Sequence, residues 1–230
     1  MIVRPTESGC VLITQPDHAQ LARRIMEHCV SLIENPRRGA ILRAIGDHDS
    51  GWAGTDAAPS VDRATGDVVD FLRAPLSVRQ GAWPRTIAGL ADEPYAAALV
   101  ANHAMFAYDR FREDPDWAHF FAAMSASRSE MLQASGFSME QLLEDYAFLR
   151  LGDLISLAFC TGSTTAQVFR DWTVRLVGPR VVVTPGIFGG APVTFEVAAR
   201  AVRPPFTSDA ALHDALTRSA TAHIEGEATA

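Results

Sequence analysis

From Gln15 to Cys160 the apolar residues recur at three- and four-residue spacings, and beyond Thr165 they alternate with polar ones. This change of period constrains the fold more than any other feature, because a helix buries a 3.6-residue stripe and a strand buries every second side chain. Helices are expected near 17–33, 39–49, 93–112, 115–135 and 138–160. The first has Asp17 as N-cap with Gln20 three residues on, and the last opens on the capping box Ser138…Gln141. Ahead of them, "MIVRP" and "CVLITQ" flank "TESG" as a β-hairpin over 1–15. "WTVRLV", "RVVVTP" and "PVTFEVAARAV" read as strands within 172–203, with Val193, Phe195, Val197, Ala199 and Ala201 on one face of the last. A lone hairpin is marginal in water, so the N-terminal strands are expected to pair with those after 172. The expected fold is therefore mainly α: one domain over 1–230, with a helical core at about 17–160 and a small β-sheet. A terminal helix at 208–218 and a flexible tail at 219–230 complete it. Between Gly51 and about Pro84 no period is legible, and the stretch reads as a long loop, functional or mobile.

A chain of 230 residues, 48% of them hydrophobic, is long enough to bury one core. Its net charge of −7 and the lack of a Lys/Arg run exclude a broad nucleic-acid or anionic-membrane footprint. An anionic small molecule held by a metal and one or two arginines is compatible with that balance. Cys10, Cys29 and Cys160 are odd in number and form no C-x-x-C pair, as in a reduced cytoplasmic protein with buried thiols. The first ten residues lack the apolar core of a signal peptide, and no apolar run reaches the roughly 18 residues of a membrane span. No Walker loop, dinucleotide fingerprint, zinc-ribbon spacing or Ser-His-Asp order is present.

Several polar residues fall on the apolar faces of the expected helices. His18 is followed at helical spacing by Leu21, Ala22, Ile25 and Cys29. His48 shares the face of Ile41, Ala44 and Ile45, and Asp49 lies four residues after Ile45. His103 sits among Leu99, Val100, Phe106 and Ala107, and Asp153 is in phase with Tyr146, Leu149 and Leu157. One inward histidine is most often a hydrogen-bonded core residue. Inward carboxylates are rarer, since burying one without a partner costs several kcal/mol. Three histidines and two aspartates on the inward stripes of four helices are what a divalent cation compensates.

In this order the residues resemble the HD-domain superfamily of metal-dependent phosphohydrolases. There a first His, an adjacent His-Asp pair and a late Asp bind one or two metals. His18 in "PDHAQLA" matches the first, His48 and Asp49 in "HDSG" match the pair, and Asp153 in "LGDLIS" matches the last. The resemblance implies an HD-domain-like helical bundle around a metal site. It also implies His18, His48, Asp49 and Asp153 as ligands of one or two ions of Fe, Mn, Ni, Co or Zn. More narrowly, "LITQPDHAQLA", "HDSGW" and "LGDLISLAFC" resemble the bacterial DUF3891 family over most of the chain. There are departures. The chain has no "GYP" motif, and Trp52 stands where a lysine often follows "HD-x-G". His119 sits with Ala122, Ala123 and Ala126 rather than on the bulky stripe of its helix, and it reads as structural.

The expected chemistry is hydrolysis of a small phosphorylated metabolite or nucleotide by metal-activated water. His103 is the candidate acid or base, or the ligand of a second ion. Asp56 is a candidate orienter of a ligating His, Trp52 a wall of the site, and Arg128 and Arg150 candidate holders of an anion. Two alternatives stay open: a non-haem di-iron oxygenase of the HD type, and a metal-stabilised binding protein without catalysis. The expected partner is a small-molecule substrate, with no polymeric nucleic acid and no membrane; a homodimer stays open.

Overall fold

The computed structural model of the protein describes residues 1–230. The hairpin forms from β1 (Ile2–Thr6) and β2 (Gly9–Ile13). Eight helices follow: α1 (Gln15–Met26), α2 (Val30–Ile33), α3 (Arg38–Asp47), α4 (Ala53–Ala57), α5 (Leu76–Gly89), α6 (Pro94–Ala107), α7 (Ala118–Ser135) and α8 (Met139–Thr161). Then come β3 (Gln167–Phe169), β4 (Trp172–Val177), β5 (Arg180–Thr184), β6 (Val193–Val202), α9 (Asp209–Arg218) and β7 (Thr221–Thr229).

Local chemistry sets the helix ends. The capping box of α8 is present, with Ser138 Oγ accepting from Gln141 N and the Gln141 side chain accepting from Ser138 N. Gly136 and Gly162, both left-handed, close α7 and α8. At α1 the N-cap sits three residues earlier than expected, without a capping box. Thr14 is the N-cap, its Oγ1 accepting from Asp17 N at 3.0 Å and donating to Asp17 Oδ2 at 2.6 Å. The expected helix 17–33 is interrupted after Met26, and only the single turn of α2 continues it.

The expected mainly-α HD-type bundle with a small β element is overturned by the sheet. Seven strands form one mixed sheet in the order β1-β2-β6-β7-β5-β4-β3, so the architecture is α/β. Every pairing is antiparallel except β5 with β7. β2 pairs with β6, which joins the N-terminal hairpin to the C-terminal strands. The expected flexible tail is β7, a central strand hydrogen-bonded on both edges. Its sequence, "TAHIEGEAT", hides this because small residues stand where bulky ones would mark a strand. Gly226 lies opposite Phe195, and a Cβ there would come within 2.4 Å of the Phe159 ring and 2.6 Å of the Phe195 ring. Gly226→Ala is therefore expected to lower stability by about 1–3 kcal/mol through overpacking, read as a lower thermal midpoint with unchanged helix content.

One main core of 47 buried residues lies between the sheet and the helices, and α1 and α8 rest directly on the strands. The other face of the β1-β2-β6 end is covered by α9 and the 61–68 segment, where Cys10, Leu12, Val202, Leu212 and Leu216 form a small second core. α6 runs through the middle of the helical layer and is buried all round from Tyr95 to Met105. The stretch expected as a loop over 51–84 contains α4 and the first nine residues of α5. α5 escaped notice because it carries Pro84 in its interior and buries only Ala82, Trp83 and Thr86, too few for a stripe. Residues 58–75 are irregular apart from one bridge between Val61 and Val68.

Candidate metal centre

Five buried side chains converge where α1, α3, α6 and α8 meet. His18 comes from the first turns of α1, His103 from α6 and Asp153 from α8. His48 caps the C-terminus of α3, and Asp49 follows it outside the helix. Leaving the helix at this point is what lets adjacent residues face one centre, since within a helix they would point about 100° apart. Gly51 makes the turn possible. A Cβ there would sit 2.0 Å from the Ala82 carbonyl oxygen of α5, and its N–H donates to Thr86 Oγ1 at 2.9 Å.

The hydrogen bonds fix which nitrogen of each ring faces inward. His48 Nδ1 donates to the Ile45 carbonyl at 2.7 Å, so Nε2 is the nitrogen that carries the lone pair whenever the ring is neutral, and that buried atom has no protein hydrogen-bond partner. Ser156 donates to the Asp153 carbonyl at 3.1 Å and accepts from His18 Nδ1 at 2.7 Å, so His18 Nε2 faces the Asp49 carboxylate and either donates a proton to it or, in a neutral ring, offers a lone pair to an ion. His18 Nε2 lies 3.2 Å from Asp49 Oδ2 and 3.7 Å from Asp153 Oδ1. His48 Nε2 lies 3.6 Å from each of those same two oxygens. Donors bound to one ion at about 2.1 Å stand roughly 3.0–3.5 Å apart, and these separations lie close to that range. His103 Nδ1 is 3.1 Å from the Tyr146 hydroxyl, and its Nε2 is 3.7 Å from the other Asp153 oxygen, Oδ2. The atoms of His18, His48 and Asp49 can share an ion, as can those of His48, His103 and Asp153.

Electrostatics separates the histidines. Burial works against a charged His48, but the Asp49 and Asp153 carboxylates outweigh it and raise its pKa to about 9. Burial also works against both carboxylates, and the surrounding histidines, with Arg150 beside Asp153, still hold them below the usual range. Burial lowers His103 to about 3, with His48 and Arg150 adding to it and Asp153 opposing, so its imidazole is neutral at pH 7.

A cavity of about 360 Å³ opens onto Asp49, His103 and Asp153. Trp52, Phe71, Trp83, Phe106 and Tyr108 form its apolar walls, and Arg79, Arg110 and Arg150 face it with Gln15. Three arginines against two carboxylates give an electropositive pocket even before any ion is counted. Buried Gln15 Oε1 and the Nε atoms of Arg79 and Arg150 have no protein partner. Three larger cavities reach none of the five residues; those of about 440 and 450 Å³ lie beside the sheet, and one of about 420 Å³ lies against α6.

A family model described as a protein of unknown function, DUF3891, matches residues 1–204. The chain belongs to the DUF3891 family. No curated protein and no solved structure matches it. The DUF3891 match spans all five clustered residues and β1–β6, and ends before α9 and β7.

In this DUF3891 protein the other singled-out residues divide. Trp52 is buried, lines the cavity and packs on Ala74 and Ala82. Arg150 lines it too, yet its Nη1 donates to Asp153 Oδ2 at 2.6 Å, so it orients a carboxylate as well as facing the pocket. Asp56 does not orient a histidine. Its carboxylate accepts from Gln15 N at 2.6 Å and pairs with the Met1 amino group, holding β1 to the start of α1. Arg128 is absent from this cavity. It reaches Asn102 Oδ1 at 2.9 Å on the far side of α6. His119 is exposed. Sequence reasoning missed Ser156, three residues after Asp153 on the same helix face, and Gln15, hidden in the first turn of α1. It also missed the role of Tyr146, which it placed only as an inward neighbour of Asp153.

Proposed function

We propose that this protein is a metal-dependent phosphohydrolase that cleaves a small phosphorylated substrate with activated water. The observation that carries the reading is the orphaned, buried Nε2 of His48, aimed with His18 Nε2 at two carboxylate oxygens beside an arginine-lined cavity. Two imidazole nitrogens and two carboxylate oxygens suit Fe, Mn, Co, Ni or Zn. The donor order His18, His48-Asp49, Asp153 resembles that of HD-type phosphohydrolases and supports the same chemistry, although the α/β architecture departs from their helical bundle. Three buried free thiols fit a reducing, cytoplasmic setting, and no helix is long and apolar enough to cross a membrane.

A divalent ion bound here supplies Lewis acidity and a water that ionises near neutral pH. The protein's own groups do the rest. Arg79, Arg110 and Arg150 draw the phosphoryl group into the cavity. Arg150 holds Asp153 so that Oδ1 stays on the histidine side. Neutral His103, set by the Tyr146 hydroxyl, is placed to orient the attacking water through a hydrogen bond. One ion is favoured over two because His48 has a single lone pair to give, its Nδ1 being engaged by Ile45. The two possible ligand groups both need that lone pair, and this weighs against the di-iron oxygenase. Hydrolysis of p-nitrophenyl phosphate by the purified protein, lost with chelator and restored by one metal, tests the proposal. Stoichiometric metal with no phosphoester turnover favours a metal-stabilised binding protein instead.

The raised pKa of His48 gives a pH signature. In chelated protein, His48 is charged in both states below its unfolded value of about 6.5, so its contribution to stability is fully present there. That contribution is lost as pH rises through about 9. With metal the trend reverses, because the ion replaces the proton and binds more tightly as pH rises. Thermal midpoints with and without chelator are therefore expected to diverge between pH 6.5 and 9. Parallel curves would mean that His48 carries neither proton nor metal in the way described.

A further inference from the structure

On the side of α6 away from the cluster lies a further cavity, of about 420 Å³. Arg112, Arg128 and Arg170 face it, and Asp109 is its one acidic residue. Arg112 pairs with Asp109 at 2.7 Å. Arg128 and Arg170 have no carboxylate within 4 Å. The half-buried Arg128 is aimed by buried Asn102, whose Oδ1 accepts from Nη1 at 2.9 Å, while its Nε has no partner. Arg170 is steadied by the Leu143 carbonyl at 2.8 Å. Burial, with Arg112 nearby, lowers the pKa of Arg128, as expected for a cation enclosed without a counter-charge. Aromatic rings of Phe106, Phe121, Tyr146 and Phe169 line the remainder.

We infer that this cavity is a second binding site, for a phosphate monoester carrying an apolar body. Three cations against one carboxylate leave two positive charges, which a phosphate dianion balances and a carboxylate does not. Arginine forks match phosphate oxygens, and the ring-lined wall suits the organic part. The site adjoins the metal centre, since Tyr146 lines it and its hydroxyl meets His103 Nδ1. Its occupancy does not depend on the metal.

Isothermal titration of the full chain as purified with phenylphosphonate, whose C–P bond resists hydrolysis, tests this, with a second arm in chelator. One binding event that survives chelator is expected. Arg128→Gln and, as a second variant, Arg170→Gln are each expected to weaken it at least tenfold. Arg150→Gln in the other cavity is expected to leave it within twofold, and benzoate to bind at least tenfold more weakly. Circular dichroism confirms that each variant is folded. The inference is overturned if no chelator-resistant binding occurs, if both folded variants bind like the parent, or if Arg150→Gln abolishes the event.

Discussion

Asp49→Ala is expected to purify with less than about one tenth of the parent's metal, because a first ligand matters at least as much as the outer partners whose loss costs roughly 10–100-fold in affinity. Asp49 Oδ2 is shared by both principal histidines, at 3.2 Å from His18 and 3.6 Å from His48. Removing it leaves two imidazoles and one carboxylate, and one of that carboxylate's oxygens already belongs to Arg150. Stability should follow occupancy. An ion present at 100–1,000 times its dissociation constant contributes about 2.7–4.1 kcal/mol to the folded state. For a chain of this length that corresponds to roughly 5–16 °C in thermal midpoint. Scanning calorimetry of parent and variant, each with and without added metal, separates the effects. The parent's midpoint should rise with metal and the variant's should not. A variant that keeps full occupancy removes Asp49 from the ligand set.

His103→Ala is expected to keep the ion and lose about 10²-fold in turnover, the scale on which a misplaced reactant slows a reaction. The expectation follows from His103 standing on the Asp153 Oδ2 side, while His18 and His48 stand on the Oδ1 side. Truncation also opens space beside Trp83 and Tyr146, whose ring centroids lie 5.7 and 5.9 Å from that of His103. Some stability is therefore lost whatever the mechanism, and metal content measured beside turnover gives the answer. If the parent binds two equivalents and the variant one, His103 is a ligand and the centre is dinuclear. If neither metal nor turnover changes, His103 is a core histidine held by Tyr146.

The convergence of the five polar side chains was more legible in the sequence than the fold around it. Buried carboxylates need compensation wherever they occur, so Asp49 and Asp153 in phase with apolar residues already called for a cation. The spacing of His18 and His48 placed them on the same inward faces. His103 converged for a reason the stripe did not contain. α6 is buried on every side, so its helical phase does not say which neighbour a given residue meets. Arg128 illustrates the same limit, since a position on α7 carries no information about which cavity it faces. β7 was illegible because a strand paired on both edges gains its backbone bonds from its neighbours. Its small residues are required by Phe159 and Phe195 packing against it, and that contact joins segments far apart in sequence. Asp56 looked like an orienter because it follows the His-Asp pair closely, but its partners are the backbone of Gln15 and the amino group of Met1.

The proposed chemistry depends on one divalent ion among four side chains, and anomalous diffraction at the absorption edge of the metal found by elemental analysis tests it most directly. A single peak is expected within about 2.0–2.3 Å of His18 Nε2, His48 Nε2, Asp49 Oδ2 and Asp153 Oδ1. Crystals grown with metal and without chelator that show no peak there, with His48 Nε2 hydrogen-bonded to a carboxylate instead, would contradict it.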